Sequence, residues 1–261
     1  MDKNLDFENS DQIMKIIVGN GELPQFIYKY TDIKSLKLIL ENSTLKFSKP
    51  SEFNDPFDCN LTIDTNNSKE EIDTYISMIR ISKNLNEKQV AELGRKYFDP
   101  DELFAITNKS IGEATESFGV TCFSKTHDNL VMWAHYADKH KGVCLKFDIL
   151  ADAEFFMTPF PVIYKKEYPI YNYIRNRDGL GKFLLETKSV DWKYENEIRV
   201  MKKGAGLYNF NKDSLCEVIF GANTPARDKE TIEKMVGSLV YDKVRIKSAR
   251  ISKKKFRLKI K

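Results

Sequence analysis

Two short stretches hold most of the side chains with chemistry to offer. The first, HDNLVMWAHYADKHKGVCLKF from His127 to Phe147, contains all three histidines of the 261-residue chain, with Trp133 and Tyr136 among them. Read as a helix from Asp128 to Lys141, capped by Asp128 and ended by Gly142, it sets Trp133 and Tyr136 on one apolar face at i,i+3. His135 and Lys139 are neighbours at i,i+4. His140 lies one turn after Tyr136 near the helix end, where a partly positive imidazole interacts well with the macrodipole. His127, His135 and His140 do not repeat at the i,i+4 spacing of a zinc helix, so no metal is assigned. Two readings stay open: Trp133 is core with the histidines as caps or surface residues, or His135 or His140 faces a ligand from a pocket wall.

The second stretch is SVDWKYENEIRVMK. Read as an extended strand, it points Trp192, Tyr194, Asn196, Ile198 and Val200 one way and Lys193, Glu195, Glu197 and Arg199 the other. The two carboxylates then lie roughly 6 to 7 Å apart on one face, with a guanidinium next in line. Close like charges raise one pKa and a neighbouring cation lowers it, a tension common where carboxylates do chemistry. A solvated strand face with Arg199 as ion-pair partner is the alternative.

These stretches need a scaffold. FIYKYT has the alternation of an aromatic strand, and DIKSLKLILENS after it reads as a helix with Asp32 as N-cap. TLKFS is a short strand, and KPSEFNDPFDCN a loop with an Asn-Asp-Pro turn. From 68 to 117 acidic and apolar residues recur at helical spacing, broken at Pro100, which predicts an inserted helical lobe. Strands are expected at GVTCFS, VCLKFD, VIYKKEY, EVIFG, VRIKSARI and KFRLKI, and a helix at RDKETIEKMVGSL behind Pro225. In the last strand Phe256, Leu258 and Ile260 alternate with Arg257, Lys259 and Lys261, so one face can pack while the other carries charge. The whole reads as one α+β domain over 26–261, a mixed or antiparallel central sheet with flanking helices, behind an amphipathic leader over 1–25.

Charged residues make up 31% and hydrophobic residues 41% of the chain, the balance of a globular protein and not of a disordered one. No apolar stretch reads as a membrane span or an export signal, so the expectation is a cytoplasmic protein with no membrane partner. Cys59, Cys122, Cys144 and Cys216 are scattered and assigned no chemistry. A net charge of +4 does not itself imply a nucleic-acid partner, although the last residues are dominated by Lys and Arg.

The stretches YKYTDIKSLKLILENSTLKFSKPSEFNDPFD, CFSKTHDNLVMWAHYADKHKGVCLKFD, TKSVDWKYENEIRV and VIFG, in that order, resemble a bacterial family catalogued as domain of unknown function 2971, over about residues 26 to 240. A more remote resemblance is to ADP-ribosyltransferases, in an aromatic-threonine strand, a helix, a short strand and a late Glu-x-Glu. That resemblance implies a nucleotide-like ligand, with NAD as substrate and Tyr30 and Thr31 lining its cleft. It implies Glu197 as the catalytic carboxylate stabilising an oxocarbenium-like ribose, Glu195 orienting ribose or acceptor, and Arg199 beside them. Asn54 and Asp55 would hold ribose hydroxyls, or else form an Asx turn leading into Pro56, while Trp133, His135 and Tyr136, with Tyr28 and Phe57, would wall the rings, core packing being the alternative for Trp133 and Phe57. The acceptor would be a nucleic acid or a protein, in phage defence or a toxin system. The first strand departs from that pattern, because no Arg or His occupies the NAD-holding position.

Two other classes fit the same residues. A metal-dependent nuclease or hydrolase would gather Asp55, Asp58, Glu195 and Glu197 around Mg²⁺. A ligand-sensing or interaction module would keep the pocket without catalysis.

Overall fold

The structure, a computed structural model, describes residues 10–157, 159–176 and 179–261. The part of the expected leader before residue 10 lies outside the described residues. The chain divides into two compact units, the first made of residues up to Ser48, Gly119–Val162 and Asp191–Lys261, the second of Lys49–Phe118 and Ile163–Val190. The helical stretch expected as an insertion therefore falls in the second unit, together with 163–190.

In chain order the first unit contributes α1 (Ser10–Gly19), β1 (Phe26–Thr31), α2 (Ile33–Asn42) and β2 (Thr44–Phe47). The second then gives β3 (Thr62–Ile63), α3 (Lys69–Lys83), α4 (Glu87–Phe98) and α5 (Pro100–Ser117). The first resumes with β4 (Phe118–Ser124), α6 (Leu130–Tyr136), β5 (Val143–Asp148), α7 (Ala153–Phe156) and β6 (Pro159–Pro161). The second adds β7 (Ile163–Lys165), β8 (Ile170–Tyr171), α8 (Leu180–Glu186) and β9 (Thr187–Ser189). The first closes with β10 (Glu197–Lys203), β11 (Gly206–Asn209), β12 (Leu215–Phe220), α9 (Ala226–Ser238), β13 (Arg245–Ile251) and β14 (Leu258–Ile260).

The first unit is built on an eight-stranded mixed sheet in the order β14-β13-β12-β5-β1-β4-β10-β6, which bears out the α+β expectation. β1 pairs antiparallel with β4 and β5, while β12 and β13 are parallel, joined through α9. Strand alternation sorts the side chains. Ile27, Leu145, Phe147, Val218 and Phe220 face one large core with α2, α7 and α9, and Phe47, Phe155, Phe156 and Phe210 meet there in edge-on ring contacts. Burying each such ring stabilises the fold by about 1.5–3 kcal/mol. Tyr30, Cys144 and Ile219 face the other side, where Trp133, Ala137 and Leu258 cover them. The Asp32 cap of α2 is formed, its carboxylate accepting from Ser35 N at 2.7 Å.

The second unit is helical, with short parallel strand pairs β3·β8 and β7·β9. Capping boxes start α3 (Ser68 with Glu71) and α4 (Asn86 with Gln89), and Pro100 opens α5 behind the Asp99 cap. Tyr75, Tyr97, Ile76 and Leu103 form its core. Arg175 donates to both Glu71 oxygens at 2.7 and 3.0 Å, a clasp that holds the Glu71 carboxyl down at about 2. Among the described residues no helix is long and apolar enough to cross a membrane.

Three sequence expectations are corrected. The stretch before Glu197 is no strand: residues 190–195 form a 3-10 turn, and Asn196 sits in the left-handed region at φ 46° before β10 begins. Helix α6 is capped by Asn129, not Asp128, and stops at Tyr136, not Lys141. Phe256 does not pack beside Leu258 and Ile260; it is fully exposed, in the turn before β14.

Candidate functional site

The site of the first unit is assembled by α6 and the turn that follows it. Asn129 starts the helix by accepting from Val131 N and Met132 N, and its Nδ2 donates to Tyr194 O at 2.9 Å, so one side chain ties the helix start to the 190–195 turn. Trp133 is fully buried, with its indole N–H donating to His127 O at 2.8 Å and Tyr30 meeting it edge-on at 5.3 Å. Tyr30 itself donates to Thr126 O at 2.9 Å, and burial raises its pKa. Both rings are therefore packed into the core between β1 and α6.

After Tyr136 the chain takes three consecutive left-handed residues, Asp138, Lys139 and His140, none of them glycine. Such conformations cost about 1–2 kcal/mol each and persist only where surroundings enforce them. Here His140 N donates to Trp133 O at 3.0 Å, Asn223 N donates to His140 O at 3.0 Å, and Gly142 O accepts from Gly221 N at 2.9 Å. The contact is close enough that a Cβ on Gly221 would lie 2.1 Å from His140 O. The His140 ring stacks on Trp133 with centroids 6.3 Å apart.

The two glutamates part company. Glu195, buried at the end of the 3-10 turn, accepts from the Tyr136 hydroxyl at 2.5 Å, and its backbone carbonyl accepts from Ser124 Oγ at 2.6 Å. Exposed His135 bonds the Tyr194 hydroxyl through Nδ1 at 3.2 Å. Glu197 opens β10 and is held bidentately by Arg199, at 2.9 Å from Nε and 3.1 Å from Nη2, with the Arg199 side chain wholly buried. The two side chains thus form a buried ion pair at the start of β10.

Thr31 ends β1, with its carbonyl packed against Gly142. Asn54 and Asp55 belong to the second unit. There Asn54 is exposed, buried Asp55 accepts from Phe57 N at 2.9 Å in an Asx turn, and Phe57 is two-thirds exposed. Asp58 pairs with buried Lys188 at 3.5 Å within the same unit. Among the described residues no three His, Cys, Asp or Glu side chains gather as a metal site needs.

Sequence reasoning missed two charges set into the sheet, half-buried Lys29 and buried Glu217. Lys29, in the middle of β1, donates to Thr121 Oγ1 at 2.9 Å and Cys122 O at 3.2 Å; burial lowers its pKa, partly offset by Cys122 and Glu197. Glu217 on β12 is met by Arg245 at 2.6 Å and Lys247 at 3.0 Å from β13 and Lys146 at 3.6 Å from β5. Burial pushes its carboxyl up, but these cations outweigh it and hold the pKa below the usual value. The available signal was a lone charged residue inside each apolar strand, FIYKYT and LCEVIF.

Burial also holds the His127 and His140 imidazoles below their ordinary pKa. The unfolded chain then binds more protons at mildly acid pH. The stabilisation is complete above about 6.5, the unfolded value, and is lost as pH falls through the folded pKa values. Taking the protein from about pH 7.5 to about 5.5 should therefore lower its Tm, and His127→Asn with His140→Asn should flatten that fall. A wild-type Tm constant across the interval contradicts the expectation.

No curated protein and no solved structure matches the chain. A family model matches residues 132–200, which run from α6 into β10 and include both Tyr136 and Glu195. The model is that of a family described as protein of unknown function (DUF2971), to which this stretch of the chain is similar.

Proposed function

We propose that the first unit binds a nucleotide-like ligand beside α6 and breaks its N-glycosidic bond, as an NAD-consuming ADP-ribosyltransferase-like enzyme. The observation that carries this reading is the Tyr136–Glu195 hydrogen bond, a buried carboxylate held at 2.5 Å by a phenol, with the His135–Tyr194 pair on the same elements. Loss of nicotinamide leaves positive charge on the ribose, and a carboxylate fixed in a dry setting stabilises that charge more than it stabilises the neutral ground state. Tyr136 orients the carboxylate, while Tyr194 and His135 offer a ring face and a ring nitrogen to a planar heterocycle. Glu197 and Arg199 hold the strand on which the site rests.

The test uses the whole protein with NAD. Calorimetric binding together with nicotinamide release into water, the simplest acceptor, supports the assignment. Binding without release turns it into a ligand-sensing module, and absence of NAD binding removes it.

A further inference from the structure

Strands β13 and β14 are joined by residues 252–257, SKKKFR, in a turn closed by Ser252 N donating to Arg257 O at 3.1 Å and Arg257 N donating to Lys255 O at 2.8 Å. A cavity of about 500 Å³ opens between this turn and the α6 region, with Leu130, His140 and Asn223 on one side and the turn on the other. Lys253, Lys254, Lys255 and Arg257 are all exposed, and among the described residues none has an acidic partner. The cations earlier in β13 differ: Arg245 and Lys247 both pair with Glu217.

β14 is the edge of the sheet, and an edge strand is guarded by lysines along its own length. Lys259 meets that need. Four cations in the turn outside the strand, with no acidic partner among the described residues, are not accounted for by edge protection, and neither is Phe256, fully exposed between Lys255 and Arg257. An open aromatic face set among free cations, beside a nucleotide-sized cavity with polar groups, is the arrangement by which proteins hold unpaired strands: bases stack on the ring and phosphates meet the charges.

We propose that single-stranded nucleic acid docks on this turn. Its phosphates lie on Lys253, Lys254, Lys255 and Arg257, one base stacks on Phe256, and the next nucleotide enters the cavity towards His140 and Asn223. A duplex keeps its base faces stacked inside and has none to offer Phe256. The inference goes beyond the glycosidic chemistry and does not rest on it, since binding is measured without NAD.

The experiment is fluorescence anisotropy of a labelled twelve-nucleotide oligothymidylate and its RNA counterpart with the full chain at two salt concentrations. Affinity should fall with salt at a log–log slope of about 3, the value for four phosphate contacts on a single strand. Replacing Lys253, Lys254 and Lys255 by Gln should reduce that slope by about 2. Phe256→Ala should weaken binding by about tenfold or more with the slope kept. All four positions are on the surface, so the variants fold. No binding to either oligonucleotide, or an affinity and slope unchanged by the lysine variant, overturns the proposal. Binding to phosphatidylserine vesicles in place of oligonucleotide also overturns it, assigning the turn to a membrane surface.

Discussion

Arg199→Leu is expected to destabilise the first unit by about 3–5 kcal/mol, because it strips a guanidinium from a carboxylate that stays buried. The side chain is wholly buried and its partner Glu197 is 3% exposed, so water does not replace the lost donors. For a protein of this size the loss reads as a fall in Tm of roughly 10 °C. Charge can be separated from packing by adding Glu197→Leu. Replacing both members of a buried pair by apolar residues is often neutral, so the double variant should melt well above Arg199→Leu. If it melts as low as the single variant, packing volume and not charge explains the effect. By the same reasoning Glu197→Gln weakens the fold, since it leaves the Arg199 cation buried.

Glu195→Gln is expected to behave otherwise. It keeps the shape and can still accept from Tyr136, so Tm should change little, while nicotinamide release falls by about 10²–10³ through loss of the charge aimed at the ribose. Tyr136→Phe should cost less, about tenfold, because it loosens the carboxylate without removing it. Measuring release for each variant and for the pair gives the coupling: two residues acting as one device lose less together than the sum of their separate losses. Release equal to wild type in Glu195→Gln, with NAD still bound, removes this carboxylate from the chemistry.

What the sequence revealed about this site divides along the range of the interactions. The Asp32 cap, the Pro100 break, Pro225 before α9 and the strands β1, β5 and β12 rest on local signals, and each appears where expected. The Glu-x-Glu face did not form. Its reading assumed extended backbone through Asn196, whereas Asn tolerates the left-handed conformation found there, and the bonds from Tyr136 and Ser124 that set Glu195 come from distant segments. In the same way Asp138, Lys139 and His140 look helical in sequence, and only the approach of Gly221 and Asn223 explains why the helix ends early. Trp133 had the composition of a ligand wall and of a core residue alike; burial decided for core.

The central place of β1 has a consequence during synthesis. Its neighbours β4 and β5 begin at Phe118 and Val143, so FIYKYT emerges long before either edge can be paired. At ribosomal rates of about 5–20 residues per second, the roughly 90 residues from Thr31 to Phe118 take several seconds to make. Throughout that interval an aromatic, β-prone hexapeptide is open to other nascent chains. Lys29 is the charge at its middle, and it disfavours such self-association before the finished sheet ties it, half-buried, to Thr121 and Cys122. A side chain that looks misplaced in the folded sheet acts as a gatekeeper for the chain that has not yet folded.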